Sequence, residues 1–562
     1  VKAEGGGKPQ ALASGRNLWL LALIVFIGLL LRLPTVKMGL WCDEMIALYV
    51  ASQPSLSLLC SALSEAEGNP PFYHLILSAW VHIFGNGEIV VKIPSLLFGL
   101  LYIVATYVLG RKVYSQPVGL IAALCAALSP QANYFACQVR PHSLAALLIC
   151  ISLLLYLKHY EKFRLSTLLP FVIVATISLY TSYLTLFLFV ALAVVTVFLE
   201  FRDSIFGGER KAAINMVRIW QCAVALLLPC LLFGPWWQVV LEQLHGAKPV
   251  NAAPISSWPL VFLFNLTTMI PVPLQVGVFL TPLAILVGLF ALLRGLSTKK
   301  FSTEEVQKSI LVWVKTVEPD RAFLIGASFL PAAVIGIATP FFIGYFRYIY
   351  SFSSGFWVLL GLLCVNVFSI TTPLLNAEDT PKWQPTRVAL AILLVVSAID
   401  LYYLLDFAKE PESGMRALAN DVEIGKYDHT AILVAPDHGA MTLDYYLPVS
   451  QCQAHDLFLC GFPRWHTAKP ETSGLPAFYL ADRVVENAVD RIAELPARGF
   501  KRLLLVNDHA YDQVANAPIG ERCSQLKDAL SKRYTSKFYG QSVGRTETSD
   551  LTMFQLEGVK PK

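Results

Sequence analysis

Gly39-Leu40-Trp41-Cys42-Asp43-Glu44 sets two adjacent carboxylates about ten residues past the end of the first strongly apolar segment, 17–33. A carboxylate pair can take a proton from a hydroxyl or bind a divalent cation. It can also simply favour the positive end of a helix that starts there, and Met45-Ile46-Ala47-Leu48-Tyr49 reads as such a start. What surrounds the pair decides between these readings. Of the 562 residues, 55% are hydrophobic and 15% charged, whereas soluble domains carry about a quarter charged residues. The deficit falls between residues 17 and 405, so the chain is predicted to be a polytopic α-helical membrane protein with a tail of ordinary composition.

A spanning helix needs about 20 apolar residues. Spans are predicted near 17–33, 90–110, 117–134, 141–157, 166–180, 183–199, 219–236, 275–293, 322–343, 347–369 and 387–405, eleven in all. Basic residues test the count, because they collect on the cytoplasmic side. With residues 1–16 cytoplasmic, the inner loops hold Arg111-Lys112, then Lys158, Lys162 and Arg164. Further on they hold the cluster from Arg202 to Arg218, the cluster from Arg294 to Arg321, and Lys382. The alternation makes 17–405 one membrane domain and puts the tail, 406–562, on the extracytoplasmic side. The net charge of +5 lies mostly on these loops and points to topology rather than to nucleic acid. The basic start resembles the beginning of a signal peptide, but no small-residue cleavage site follows Leu31, so an uncleaved first helix is expected.

The first outer loop, 34–89, contains Pro70-Pro71 and Gly85, the start and stop of a helix of about four turns. His74, Ser78 and His82 share one face of it, which predicts a helix lying at the membrane interface with that face wet. In the tail, 430–435, 502–506 and 551–556 read as strands, and 484–495 and 521–533 as helices, a small α/β domain. Six of the eleven cysteines, among them Cys125, Cys137 and Cys150, sit in or beside apolar helices and read as small buried hydrophobes. Cys42 with Cys60, and Cys452 with Cys460, are the pairs an oxidising compartment could link.

Three cations stand against the trend, at outer ends of spans: Lys92, Arg140 and Arg347. Each could reach outward to lipid headgroups. An ionisable group at membrane depth is nevertheless a functional hypothesis, and three cations with two carboxylates on one face suit an anionic, lipid-linked substrate. Arginine grips phosphate bidentately, which lysine does not.

The ordered set resembles the GT-C superfamily of membrane glycosyltransferases. Nearest are the bacterial relatives of the protein O-mannosyltransferases and of the lipid A aminoarabinose transferases. The stretches that carry it are Trp41-Cys42-Asp43-Glu44, Gly68-Asn69-Pro70-Pro71-Phe72-Tyr73, Lys92-Ile93-Pro94-Ser95, Cys137-Gln138-Val139-Arg140-Pro141-His142, Tyr180-Thr181-Ser182-Tyr183 and Arg347-Tyr348. The resemblance implies an inverting enzyme that moves a sugar from a polyprenyl-phosphate donor to a lipid, glycan or protein acceptor outside the bacterial plasma membrane. It implies Asp43 as general base, Glu44 beside it, and Arg140, Arg347 and Lys92 on the donor phosphate. Asn69, Tyr73, Gln138, His142 and Tyr348 would line the pocket. Asn69, Gln138, His142, Ser182 and Lys92 depart from the family's usual His, Glu, Tyr, His and Arg. The lost Glu and His would be metal ligands, so no metal is expected to be required, although Mg2+, Mn2+ or Zn2+ stays open. A transporter of lipid-linked glycans and a non-catalytic assembly subunit are the rival readings. The chain shows neither the internal repeat nor the intramembrane run of ionisable residues common in transporters.

Overall fold

The structure is a computed structural model. It describes residues 15–206, 215–246, 317–338, 346–375, 402, 405, 414–423, 425–435, 442–443, 445–447, 458–461, 485–508, 517–543 and 548–556. The predicted spans 275–293 and 387–405 lie outside these residues, apart from single positions in the second.

The chain begins with α1 (Gly15–Val36). The long first loop then folds into α2 (Cys42–Ala51), α3 (Leu56–Ala66) and α4 (Phe72–Phe84). Ser55 starts α3 by accepting from the Leu58 amide at 3.3 Å. Pro71 precedes α4, and Gly85, at φ 84°, stops it. The helical core follows as α5 (Glu88–Val113), α6 (Gln116–Leu128), α7 (Pro130–Ala136), α8 (His142–Lys162), α9 (Leu165–Leu179) and α10 (Thr185–Phe206). Next come α11 (Met216–Leu232), α12 (Trp237–Gly246), α13 (Pro319–Ala338), α14 (Phe346–Tyr350) and α15 (Ser353–Leu375). The predicted span 347–369 is therefore broken by a turn at Ser351-Phe352.

Among the described residues four helices, α1, α5, α8 and α10, are long and apolar enough to cross a membrane. Two bent pairs raise the number to six. One is α6 with α7, bent by 64°, and the other is α11 with residues 234–243, bent by 48°. The first bend has a local cause. Pro130 cannot continue the α6 hydrogen-bond ladder, and Ser129 caps the new helix by accepting from the Ala132 amide at 3.3 Å. The carbonyls left over at the end of α6 meet a buried cation. Arg32, 1% exposed inside α1, donates to the carbonyls of Gly28 at 2.7 Å, Ala127 at 3.4 Å and Ala126 at 3.5 Å.

The tail is an α/β domain with a five-stranded sheet, ordered β2-β1-β3-β5-β4. Its strands are β1 (Thr430–Ala435), β2 (Phe458–Gly461), β3 (Arg502–Asp508), β4 (Thr535–Val543) and β5 (Thr548–Gln555). The first three run parallel, and β5 and β4 run antiparallel. Every residue of β1 is buried, as expected of a parallel strand covered on both faces. One face packs Leu433, Leu505 and Phe554 against α17 (Val485–Ile492) and α18 (Ala517–Arg533). The other packs Ile432, Leu504 and Met553 against α16 (Gly414–Glu423) and residues 443–447. The strands and helices expected in the tail are all present; β2, β4 and α16 are additions. Cys60 is a free thiol, as are Cys125, Cys137 and Cys150; the Cys42 side chain falls outside the described atoms. Cys452 lies outside the described residues.

Helices α5 and α6 approach closely where Gly110 meets Gly119. A Cβ on Gly119 would stand 2.5 Å from the Tyr107 carbonyl oxygen, and one on Gly110 2.8 Å from the Gly119 Cα. Small residues of this kind let spanning helices touch through their backbones. Gly119→Val is expected to destabilise the bundle by about 1–3 kcal/mol through overpacking, read as a lower melting temperature of the purified protein in lipid nanodiscs.

Candidate active site

The segment from Lys37 to Trp41 belongs to no helix or strand, so its backbone groups need partners from elsewhere. Local turns pair the Lys37 and Met38 amides with the Pro34 and Thr35 carbonyls, and side chains serve other groups of the segment. Lys92, 2% exposed at the start of α5, donates to the Met38 carbonyl. Arg416 of α16 donates to the Lys37 carbonyl at 3.2 Å. The Leu40 amide donates to the Tyr446 hydroxyl at 2.5 Å. The Trp41 amide donates to Glu44 Oε2 at 3.3 Å, while Glu44 Oε1 accepts from the Val139 amide at 2.7 Å. Glu44 is thus a buried brace between this segment and the α7–α8 corner. Burial pushes its carboxyl above the usual range, against Lys92 and the two backbone amides.

Asp43 is different. It stands in the first turn of α2 with its side chain 19% exposed, so the carboxylate can reach solvent. Arg140 faces it, Nη2 to Oδ2 at 4.0 Å, and donates from Nη1 to the Asp43 carbonyl at 3.0 Å. The helix-start reading of the pair is correct as geometry, and it leaves Asp43 facing a cation from more than ninety residues further along the chain.

Arg140 is itself held by a residue the sequence reading missed. Glu67, at the end of α3, takes both terminal nitrogens of the guanidinium, Nη1 at 2.5 Å and Nη2 at 3.0 Å. The fork is bidentate and charge-assisted. Glu67 also accepts from Asn69 Nδ2 at 2.6 Å and from the Gly68 amide at 3.1 Å. His74 Nε2 lies 3.7 Å from Glu67 Oε2. Burial alone would raise the Glu67 carboxyl, but Arg140 and His74 hold it well below the usual range. Burial opposes the charge on Arg140 too, and Glu67 and Asp43 raise its affinity for the proton in spite of it. Behind this pair runs a polar chain. Gln243 donates to the Glu67 carbonyl at 2.8 Å, Tyr183 to Gln243 Oε1 at 2.9 Å, and Trp236 to the Tyr183 hydroxyl at 3.1 Å. The signal in the sequence was a carboxylate one step before Gly68-Asn69-Pro70-Pro71, a turn that fixes its direction.

Of the other predicted residues, Tyr73 is buried with its hydroxyl 2.9 Å from Ser95 Oγ, and Ser95 Oγ lies 3.4 Å from the Arg140 carbonyl. Gln138 is buried one residue from the Glu44 brace, and its Nε2 makes no hydrogen bond. His142 is buried with its ring edge-on to Phe135, centroids 4.9 Å apart. Tyr348 of α14 is close enough to influence Arg140 electrostatically. Arg347 lies in the first turn of α14, and its side chain falls outside the described atoms. His74 corrects an expectation. It is wholly buried against Glu67, so the face it shares with Ser78 and His82 is not uniformly wet; only His82 is exposed. Among the described residues no three His, Cys, Asp or Glu side chains converge as metal ligands would. Glu67 and His74 lie close together, but the Glu67 carboxylate is committed to Arg140.

Bundle, long first loop and appended α/β domain together make a GT-C-like fold. Residues 68–233 match the family described as Dolichyl-phosphate-mannose-protein mannosyltransferase. Among solved structures, the chain is similar to apo ArnT from Cupriavidus metallidurans with a TM-score of 0.52 and 14% identity, over 96% of this chain and 98% of that one. It is also similar to the same protein bound to undecaprenyl phosphate, with a TM-score of 0.50, 14% identity and the same shares of 96% and 98%. No curated protein matches the sequence.

Glu67→Gln is expected to leave the buried Arg140 charge with only the more distant Asp43 opposite it and to cost about 3–5 kcal/mol. Because the Glu67 carboxyl is held below its unfolded value, its contribution is complete above about pH 4.5 and fades as pH falls below that toward the depressed native value. The melting-temperature gap between wild type and Glu67→Gln should therefore be widest at neutral pH and narrow on acidification.

Proposed function

We propose that the chain is an inverting glycosyltransferase, taking a sugar from a polyprenyl-phosphate donor and passing it to a hydroxyl-bearing acceptor on the extracytoplasmic face. The observation that carries this is a solvent-reachable carboxylate, Asp43, opposed at 4.0 Å by a guanidinium that a buried partner holds in place. The similarity to the ArnT structure solved with undecaprenyl phosphate supports the choice of donor. The basic inner loops support the choice of face.

In this reading Asp43 accepts the proton of the acceptor hydroxyl as its oxygen attacks the anomeric carbon. A new C–O bond forms, the bond from that carbon to the carrier phosphate breaks, and the phosphate leaves with the electron pair. Attack opposite the leaving group inverts the centre. Charge grows on the phosphate during the step, and fixed cations lower the barrier by meeting it there. Arg140 and Arg347 are assigned that task. Arg140 keeps a buried Nε without a protein partner, so its fork with Glu67 does not exhaust it. Lys92 supports the Asp43 segment from behind through Met38. In the same reading Asn69, Tyr73, Gln138, His142 and Tyr348 are assigned to the lining of the pocket.

Asp43→Asn should lower transfer by about 10²–10⁴-fold, the range for losing a general base, with expression unchanged. Mass spectrometry of glycolipids and glycoproteins, from cells with the chain, without it and with the variant, reads the loss and names sugar and acceptor. Full product from Asp43→Asn removes the assigned base. The proposal needs no divalent cation, since guanidinium groups meet the phosphate charge. Transfer in EDTA-treated membranes should equal that of untreated ones, and activity that vanishes and returns with Mg2+, Mn2+ or Zn2+ overturns that part.

A further inference from the structure

We infer that the tail domain is one wall of the active site, and that Tyr446 and Arg416 are positioning residues that set where Asp43 stands. The claim that this placement matters for chemistry rests on the reading of Asp43 given above. The coupling itself rests on geometry alone.

The described polar contacts between the tail and the helical domain fall on two short stretches, 37–40 and 86–88. Tyr446 receives the Leu40 amide, and Arg416 reaches the Lys37 carbonyl. Arg416 also pairs with Glu88 at 2.9 Å, at the first turn of the helix that carries Lys92. Tyr445 donates to the Asn86 carbonyl at 2.9 Å and packs against the apolar cluster that includes Leu40 and Met45. Gly39 lies between the two holds. A Cβ there would come within 3.0 Å of the Tyr446 hydroxyl and 3.1 Å of the Arg416 side chain. The absence of a side chain thus lets the domains close on each other four residues before Asp43.

This is more than adhesion between domains. The segment 37–41 lies in no helix or strand, so each hold removed frees a backbone group that no regular ladder re-pairs. Lys92 and Glu44 hold it from the membrane side, and Tyr446 and Arg416 from the tail side. Burial pushes the Tyr446 hydroxyl up, so it stays neutral and can accept from Leu40 at any physiological pH. The tail's two apolar faces are built from other residues, and Tyr446 only borders one of them. Removing its oxygen therefore leaves the domain's fold intact.

The test is hydrogen–deuterium exchange on the full chain in lipid nanodiscs, comparing wild type with Tyr446→Phe and Arg416→Gln. Peptides covering 37–45 should exchange about tenfold faster in either variant, as local opening frees those amides. Peptides from 88–113 and 502–508 should be unchanged. A charge-exchanged pair, Arg416→Glu with Glu88→Arg, should recover part of the protection that Arg416→Gln loses. In the product assay described above, Tyr446→Phe should lose transfer in step with that exchange. Unchanged exchange at 37–45 overturns the coupling, and so does faster exchange spread evenly over the chain with no recovery in the charge-exchanged pair. Faster exchange with full product overturns the link to activity. If Asp43→Asn retains transfer while Tyr446→Phe still loosens 37–45, the reading of the chemistry fails and the coupling stands.

Discussion

Five residues without regular structure, Lys37 to Trp41, are the constraint on which this molecule depends. A backbone that leaves helix and sheet must find partners for its amides and carbonyls, and here local turns serve some of them while side chains from three parts of the chain serve others. Lys92 comes from α5, Glu44 from the helix that follows the segment, and Arg416 and Tyr446 from the tail. Glu44 also binds the amide of Val139, so the α7–α8 corner is tied to the same point. That corner owes its position to the break at Ser129-Pro130, which turns the chain by 64° and brings Arg140 beneath Asp43. Helix packing supplies the frame, and these few polar contacts convert the frame into a placed carboxylate.

The adjacent acids illustrate how burial divides labour between like groups. Glu44 is enclosed and held by backbone amides, with its carboxyl pushed up by burial. Asp43, next to it, turns toward solvent and a guanidinium. Helical geometry causes the difference, since consecutive residues point about 100° apart. Glu67 and Arg140 form a second unit in which each group's desolvation is compensated by the other. Such a pair is costly to break from either side.

The sequence was most informative where pattern and physics coincide. Long apolar runs located α1, α5, α8 and α10, the four described helices long and apolar enough to cross a membrane, and short apolar runs such as Ala431-Ile432-Leu433-Val434 located the central strands of the tail. The cations at outer span ends singled out Arg140. Four things were not legible. Glu67 looked like one acid among several in Glu65-Ala66-Glu67, because its importance lies in a partner seventy-three residues away. His74 read as part of a wet face, because periodicity assigns a side to a residue but does not reveal what covers that side. The edge strand β4, Thr535-Ser536-Lys537-Phe538-Tyr539, lacks the apolar alternation that marks a half-buried strand, since it lies at the sheet's margin and pairs on one side only. The docking of the tail was equally hidden, for it hangs on a hydroxyl, a guanidinium and a glycine that no local pattern distinguishes.

The fork between Glu67 and Arg140 has a consequence for how an anionic lipid would arrive. Around Asp43 the described charges nearly cancel, two carboxylates against Arg140 and Lys92, with Glu44 pushed toward its neutral form. A pocket so balanced casts little long-range field, and salt would screen what remains within about a nanometre. Encounter would then be governed by lateral diffusion in the bilayer, with the hydrocarbon tail delivering the headgroup and the protein's charges acting only at contact. Capture of this kind depends on membrane thickness and composition far more than on the ionic strength outside.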